Sequence, residues 1–69
     1  MPVVKVVELI GSSPKGWDEA AKIALEEAAK TVENIRGIRV KRFTAKVKDN
    51  KIVEYRACVK VAFVVERGK

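Results

Sequence analysis

The most regular feature of the chain is an alternation of apolar and polar residues near its carboxyl end. From Val53 to Val65 every second residue is apolar, and the residues between them are mixed. This period of two is typical of a β-strand with one buried face. At about 3.3 Å per residue, a segment of roughly 15 residues gives a strand about 50 Å long. We expect the apolar phase to cover a helix and the mixed phase to meet solvent, a ligand or another subunit.

A helical pattern lies upstream, with apolar residues three and four positions apart. We expect this helix to run from about Pro14 to Ile35, after a strand at Val3–Ile10 that the segment Gly11–Pro14 ends. Ser13 is a good N-cap before a proline at the first helical position. Gly37 is a natural left-handed stop beyond the helix end. The apolar stripe comprises Trp17, Ala21, Ala24, Ala28, Val32 and Ile35.

The remaining segment, Ile38–Lys48, predicts a second strand whose apolar residues change phase near Lys41-Arg42. Such a change indicates a β-bulge or a bend. Asp49-Asn50 predicts a hairpin turn, because both residue types tolerate a positive φ. A helical crossover makes the first two strands parallel, so the third fits between them and antiparallel to both. We therefore predict a single α+β domain over residues 1–69, with β-α-β-β order and a three-stranded antiparallel-type sheet curled around one long helix.

The charge is concentrated on the second and third strands. The net charge is +6, yet residues 36–60 carry nine basic and two acidic residues, or +7, which leaves −1 for the rest. A solvated sheet face, a site for a phosphorylated ligand and a nucleic-acid surface all fit this pattern. The aromatics of this stretch, Phe43 and Tyr55, lie on the apolar phase, so no platform for stacking bases is evident. We expect no specific nucleic-acid partner.

The composition excludes several kinds of chemistry. One cysteine and no histidine rule out an intrachain disulfide, an ordinary zinc site and the commonest general base. We therefore predict no enzyme, and a reducing, cytoplasmic setting. Cys58 lies between Arg56 and Lys60, whose charges would lower the pKa of its thiol, while a buried and inert thiol is the alternative. The apolar run Val61–Val65 is too short for a membrane span. A chain of 69 residues rarely stabilises itself with a single core, so we also expect a homo-oligomer.

The chain resembles the dodecins in segments that cover nearly its whole length. These are Lys5–Ser13, the helix opening Trp17–Ala20, Val40 after the helix, and Tyr55–Phe63. Dodecins are small flavin-binding proteins of β-α-β-β architecture that assemble as hollow homododecamers. The resemblance therefore implies a cage of twelve copies that stores a small ligand, with FMN or riboflavin as the family's cofactor.

The resemblance also implies where a flavin would bind, around Arg36, Gly37 and Arg56. In flavin-binding dodecins a tryptophan after the helix stacks on the isoalloxazine ring, and a glutamine after the strand tyrosine hydrogen-bonds it. Gly37 and Arg56 stand at these two places. This pattern is similar to the branch that lacks the stacking tryptophan, which implies weak flavin binding, or another phosphorylated ligand or a metal ion instead.

Two other functions stay open from the residues alone. Glu8, Glu54 and Glu66 could meet symmetry mates and hold a cation with oxygen ligands. The second open function is that of a small basic module that binds nucleic acid, which requires no assembly larger than a dimer. We expect the partners to be the chain itself and a small molecule, with no membrane.

Overall fold

The computed structural model describes residues 3–65 and confirms the predicted order of elements. The elements are β1 (Val3–Ser13), α1 (Trp17–Ala29), β2 (Ile35–Lys48) and β3 (Lys51–Val65). The sheet order is β1-β3-β2, and β3 is antiparallel to both neighbours. The predicted topology, with the last strand in the middle, is therefore confirmed.

The core is a row of alanines on α1 pressed onto the middle of β3. Ala20, Ala24 and Ala28 recur at helical spacing and are buried against Ala57, Val59 and Val61, which are fully buried. The apolar phase of the last strand thus covers the helix, as its alternation predicts. Because every helix residue at the centre of the contact is alanine, the helix axis lies close to the sheet.

Strand β1 does not end at Gly11, contrary to the sequence interpretation; it continues to Ser13. Gly11 lies directly beneath the helix. A Cβ at this position would collide with the carbonyl oxygen of Ala20 and lie 2.9 Å from the backbone nitrogen of Ala24. The glycine is therefore needed for a close approach of helix to strand, and not for a break in the strand.

The helix is shorter than predicted at both ends. It begins at Trp17 with Gly16 as its N-cap, so the assignment of the cap to Ser13 is wrong. The Ser13 hydroxyl instead accepts a hydrogen bond from the Lys15 amide (3.0 Å) and donates one to the Glu19 carboxylate (3.3 Å). These two hydrogen bonds connect the loop before the helix to the first helical turn, although Ser13 itself is not the N-cap.

The helix ends at Ala29, and Gly37 plays no part in ending it. Gly37 lies in β2 and has no positive φ, whereas Asn34 has a φ of 63°. The amides of Thr31 and Val32 still donate to the Ala28 carbonyl, at 3.1 and 3.0 Å, before the chain leaves the helix. Asn34 is one of the few residue types that adopt the left-handed conformation readily, so the reversal falls there.

The hairpin of β2 and β3 matches the sequence prediction closely. The register shifts between Val40 and Arg42, as the phase change predicts. The turn residues Asp49 and Asn50 have φ values of 54° and 64°, which is the backbone of a tight hairpin turn. Because β1 ends opposite Tyr55, the segment Lys46–Glu54 extends beyond it as a two-stranded projection, here called the hairpin arm.

Candidate ligand-binding site

One face of the sheet, here called the open face, is turned away from α1. Residues paired across strands share a face, so the register places the even-numbered residues of β3 from Glu54 to Val64 there with their partners in β1 and β2. Most of the cations predicted for the second and third strands lie on this face. They are Arg39, Arg42, Lys46, Arg56 and Lys60.

A shallow pocket of about 460 Å³ lies toward the start of β2 and opens near Gly37. Within the described residues, nothing lies within 4 Å of where a Cβ on Gly37 would be, so the missing side chain leaves open space. Arg39 and Lys60 are paired across the strands beside it. Two adjacent cations at an apolar wall are suited to an anionic group on an otherwise apolar ligand. The lining is Val6, Gly37, Ile38, Arg39, Lys60 and Ala62.

The three residues implied by the dodecin resemblance do not meet around one pocket of a single chain. Gly37 lines the pocket, and Arg36 is the exposed extra residue of a bulge next to it. Arg56 lies six residues along β3 from Ala62, the partner of Gly37, or about 20 Å at ~3.3 Å per residue. A site that contains both Gly37 and Arg56 therefore needs two chains.

Arg56 already has an acidic partner. Its guanidinium lies 3.3 Å from the Glu54 carboxylate. A hydrogen bond from Ser12 and then one from Arg56 hold the pKa of Glu54 below its ordinary value. The ion pair leaves Arg56 less free to meet an anionic ligand than Arg39 or Lys60.

A second polar cluster spans the three strands in the middle of the open face. The Cys58 thiol donates a hydrogen bond of 3.1 Å to the Glu8 carboxylate, and the Lys41 ammonium lies 3.4 Å from the same oxygen. The bond from Cys58, followed by the charge of Lys41, lowers the pKa of Glu8.

The same hydrogen bond decides the chemistry of the thiol. The carboxylate of Glu8, chiefly through that bond, and then burial raise the pKa of Cys58, and they outweigh the cations Arg42 and Lys41. Cys58 as a whole residue is only 8% exposed. The alternative in which neighbouring cations activate this cysteine is therefore wrong, and the interpretation as an inert thiol agrees with the structure.

Trp17 is engaged within its own chain. Its indole Nε1 donates a 2.8 Å hydrogen bond to the Thr44 carbonyl. Its ring meets Tyr55 edge to face, with centroids 4.8 Å apart, and Phe43 at 6.1 Å. The cluster fixes the start of α1 against the middle of the sheet on the side opposite the pocket.

Sequence reasoning missed Arg39 and Lys60 as pocket residues. Both belong to the basic stretch, but their juxtaposition depends on the register of β2 against β3, which shifts at three places between Ile35 and Val47. Among residues 3–65, no group of three or more acidic, cysteine or histidine side chains could hold a metal ion; Glu66 lies outside the described residues. No helix in that range is long and apolar enough to cross a membrane.

The sequence matches the family model for dodecins over residues 3–66, so the chain belongs to the dodecin family. It is 36% identical over 63 residues to the calcium dodecin of Mycobacterium tuberculosis, covering 91% of this chain and 89% of that protein. It is 33% identical over 64 residues to a dodecin of Thermus thermophilus, covering 93% of each.

The solved structures agree with the family assignment. The tt0972 protein of Thermus thermophilus superposes with a TM-score of 0.91 at 31% identity, over 97% of this chain and 98% of that one. The β-α-β-β arrangement is therefore the dodecin fold.

Proposed function

We propose that this chain assembles as a hollow homododecamer that binds and stores a small, phosphate-bearing ligand in the pocket beside Gly37. The observation that carries the ligand class is the pairing of Arg39 with Lys60 at an apolar wall. A phosphate accepts charge-assisted hydrogen bonds from both cations, and the apolar lining suits an organic ring. The role is binding and not catalysis.

Assembly is supported by what a single chain leaves uncovered. Strands β1 and β2 are both edges of the sheet, and unpaired edges favour further association. Several large apolar side chains are also exposed on one chain. They include Val4, Val6, Ile10, Phe43 and Val47.

FMN fits this ligand class, and we propose that the chain binds it weakly as a member of the branch without the stacking tryptophan. Gly37 offers no ring, and aromatic stacking is worth about 0.5–1.5 kcal/mol per pair beyond burial. Arg56 cannot accept a hydrogen bond, so it cannot reproduce the donor and acceptor of an amide. Trp17, held by Thr44 on the other side of the sheet, cannot replace the missing indole.

A titration followed by flavin fluorescence tests the ligand and its location. We expect FMN to bind more tightly than riboflavin, which lacks the phosphate, and the difference to shrink at high salt. Lys60→Gln should remove this difference. Lys46→Gln is the matched control, since it removes the same charge from the same face outside the pocket. Equal binding of FMN and riboflavin by the wild type would contradict a phosphate site.

Two further variants test the flavin geometry. Gly37→Trp combined with Arg56→Gln should strengthen FMN binding and deepen the quenching, by roughly 2- to 13-fold for each stacking pair gained. The single variants separate the contributions. If Gly37→Trp alone gave the whole gain in FMN affinity, Arg56 would not belong to the flavin site. Tight, fully quenching binding by the wild type would contradict the proposed location.

Light scattering tests the assembly. We expect a mass of twelve times the 7.7 kDa chain. A stable monomer or dimer at micromolar concentration would overturn the cage. Such a result, together with sub-micromolar preference for one nucleic-acid sequence at physiological salt, would instead favour the basic-module alternative.

A further inference from the structure

One row of the open face places a carboxylate beside the two cations of the pocket. Lys60 is paired with Arg39 in β2 and with Glu8 in β1, so the three residues lie side by side across the sheet. The Cβ atoms of directly opposed residues are about 4.5–5.5 Å apart. Glu8 does not line the pocket, so it lies next to the cations of the site without forming part of its wall.

A β-bulge turns a further cation toward Glu8. The register of β2 shifts between Val40 and Arg42, which makes Lys41 the extra residue of the strand. Bulges of this kind redirect a side chain, and the Lys41 ammonium lies 3.4 Å from the Glu8 carboxylate. Because β3 lies between β1 and β2, this ion pair crosses over the central strand.

The burial of Cys58 agrees with this position of the ion pair. Cys58 lies on the face without the helix, yet it is buried. Its thiol donates a hydrogen bond of 3.1 Å to the same Glu8 oxygen that contacts Lys41. The carboxylate is therefore drawn over β3, toward the middle of the open face and beside Lys60.

The Glu8 carboxylate is ionised at neutral pH. The hydrogen bond from Cys58, the charge of Lys41 and, to a smaller extent, the charge of Lys60 all lower its pKa. A negative charge beside Lys60 offsets part of the positive charge that a phosphate group meets at the pocket.

We infer that Glu8 is an internal counter-ion of the phosphate site, which limits the affinity of the site by holding Lys41 and by opposing the charge of Lys60. The inference rests on the proposed function and adds to it a residue that sets the strength of binding. A phosphate between Arg39 and Lys60 lies one to two strand spacings from Glu8, or about 5–10 Å. For a phosphate charge of about −1.5 to −2, repulsion over this distance corresponds to roughly 2- to 10-fold in affinity at low salt.

Titration of FMN and of riboflavin into Glu8→Gln at low salt tests the inference. This variant should bind FMN roughly 2- to 10-fold more tightly than the wild type. It should bind riboflavin, which carries no phosphate, as the wild type does. The gain for FMN should shrink at high salt, and Glu8→Asp, which keeps the charge, should show much less of it.

Glu27→Gln is the matched control. Glu27 forms a similar ion pair, with Lys30 at 3.3 Å, but it lies on α1, from which the open face is turned away. The variant removes the same charge and releases one lysine, so its affinity for FMN should equal that of the wild type. Circular dichroism and light scattering check folding and assembly. Glu8→Thr, which is uncharged and favourable in a strand, replaces Glu8→Gln if that variant fails to fold.

The outcomes separate the counter-ion from the phosphate site itself. Equal gains in Glu8→Gln and Glu27→Gln would overturn the inference, because the net charge of the protein would then explain both. A wild type that prefers FMN to riboflavin, together with unchanged FMN binding by Glu8→Gln, would also overturn it and leave the phosphate site in place. If neither the wild type nor Glu8→Gln prefers FMN, the phosphate site is overturned and the counter-ion with it.

Discussion

Gly11→Ala tests the close approach of α1 to β1 at Gly11. The added methyl would collide with the Ala20 carbonyl oxygen, and it would lie 2.9 Å from the Ala24 nitrogen and 3.0 Å from the Ala24 Cβ. The first two are backbone atoms inside a helix, so no side-chain rotation relieves the contact. The whole of α1 must move away from β1, which opens the alanine core on β3.

The expected destabilisation is large for one methyl group. Overpacking of a core lowers the free energy of unfolding by about 1–3 kcal/mol and occasionally more. Because the added methyl meets rigid helix backbone, we expect the loss for this variant to be about 3 kcal/mol or above. For a domain of this size, 1 kcal/mol shifts Tm by about 4–8 °C, so we expect a Tm roughly 12–24 °C lower. Gly37→Ala is the matched control, because its methyl meets nothing within 4 Å among the described residues and its φ is not positive.

Thermal and denaturant unfolding of the two variants and the wild type provide the measurement. All three must be compared at one protomer concentration, since association contributes to apparent stability. Gly37→Ala should be neutral or stabilising by about 0.4–1 kcal/mol, because alanine restricts the unfolded chain. Equal midpoints for Gly11→Ala and Gly37→Ala would refute the argument that helix and strand touch at Gly11.

Three further predictions concern the middle of the open face and the hairpin turn. Glu8→Gln removes the carboxylate that raises the pKa of Cys58, so iodoacetamide should alkylate the thiol several-fold faster at pH 8; an unchanged rate would show that burial alone protects it. Because the folded-state pKa of Glu8 lies below its ordinary value of 4.5, its contribution to stability is present above that pH and is lost as the pH falls through the lowered pKa; Glu8→Gln should flatten this part of the acid unfolding curve. Asn50→Val forces a β-branched residue into a φ of 64° and should destabilise the fold by about 1–3 kcal/mol, whereas Asn50→Gly should not; equal unfolding midpoints for the two variants would contradict the tight turn.

The local elements follow from short-range patterns in the chain. The alternation from Val53 to Val65 specifies a strand with one buried face, and Ala57, Val59 and Val61 are buried as that phase predicts. The phase change near Lys41-Arg42 and the turn at Asp49-Asn50 depend on neighbouring residues only. The strand order then follows from the crossover rule, so the topology could be derived without the structure.

The sequence by itself determined the strands, the hairpin turn, the topology and the excess of positive charge on two strands. The roles of Gly11 and Gly37 depended on contacts between distant residues, and only the tertiary structure decided them. Gly11 looked like a strand break and Gly37 like a helix stop, yet Gly11 makes room for Ala20 and Ala24, and Gly37 opens a pocket beside Arg39 and Lys60. Local propensity is a property of neighbours along the chain, whereas a pocket depends on the register between strands. The bulges of β2 set that register and so decide which side chains of β2 and β3 meet.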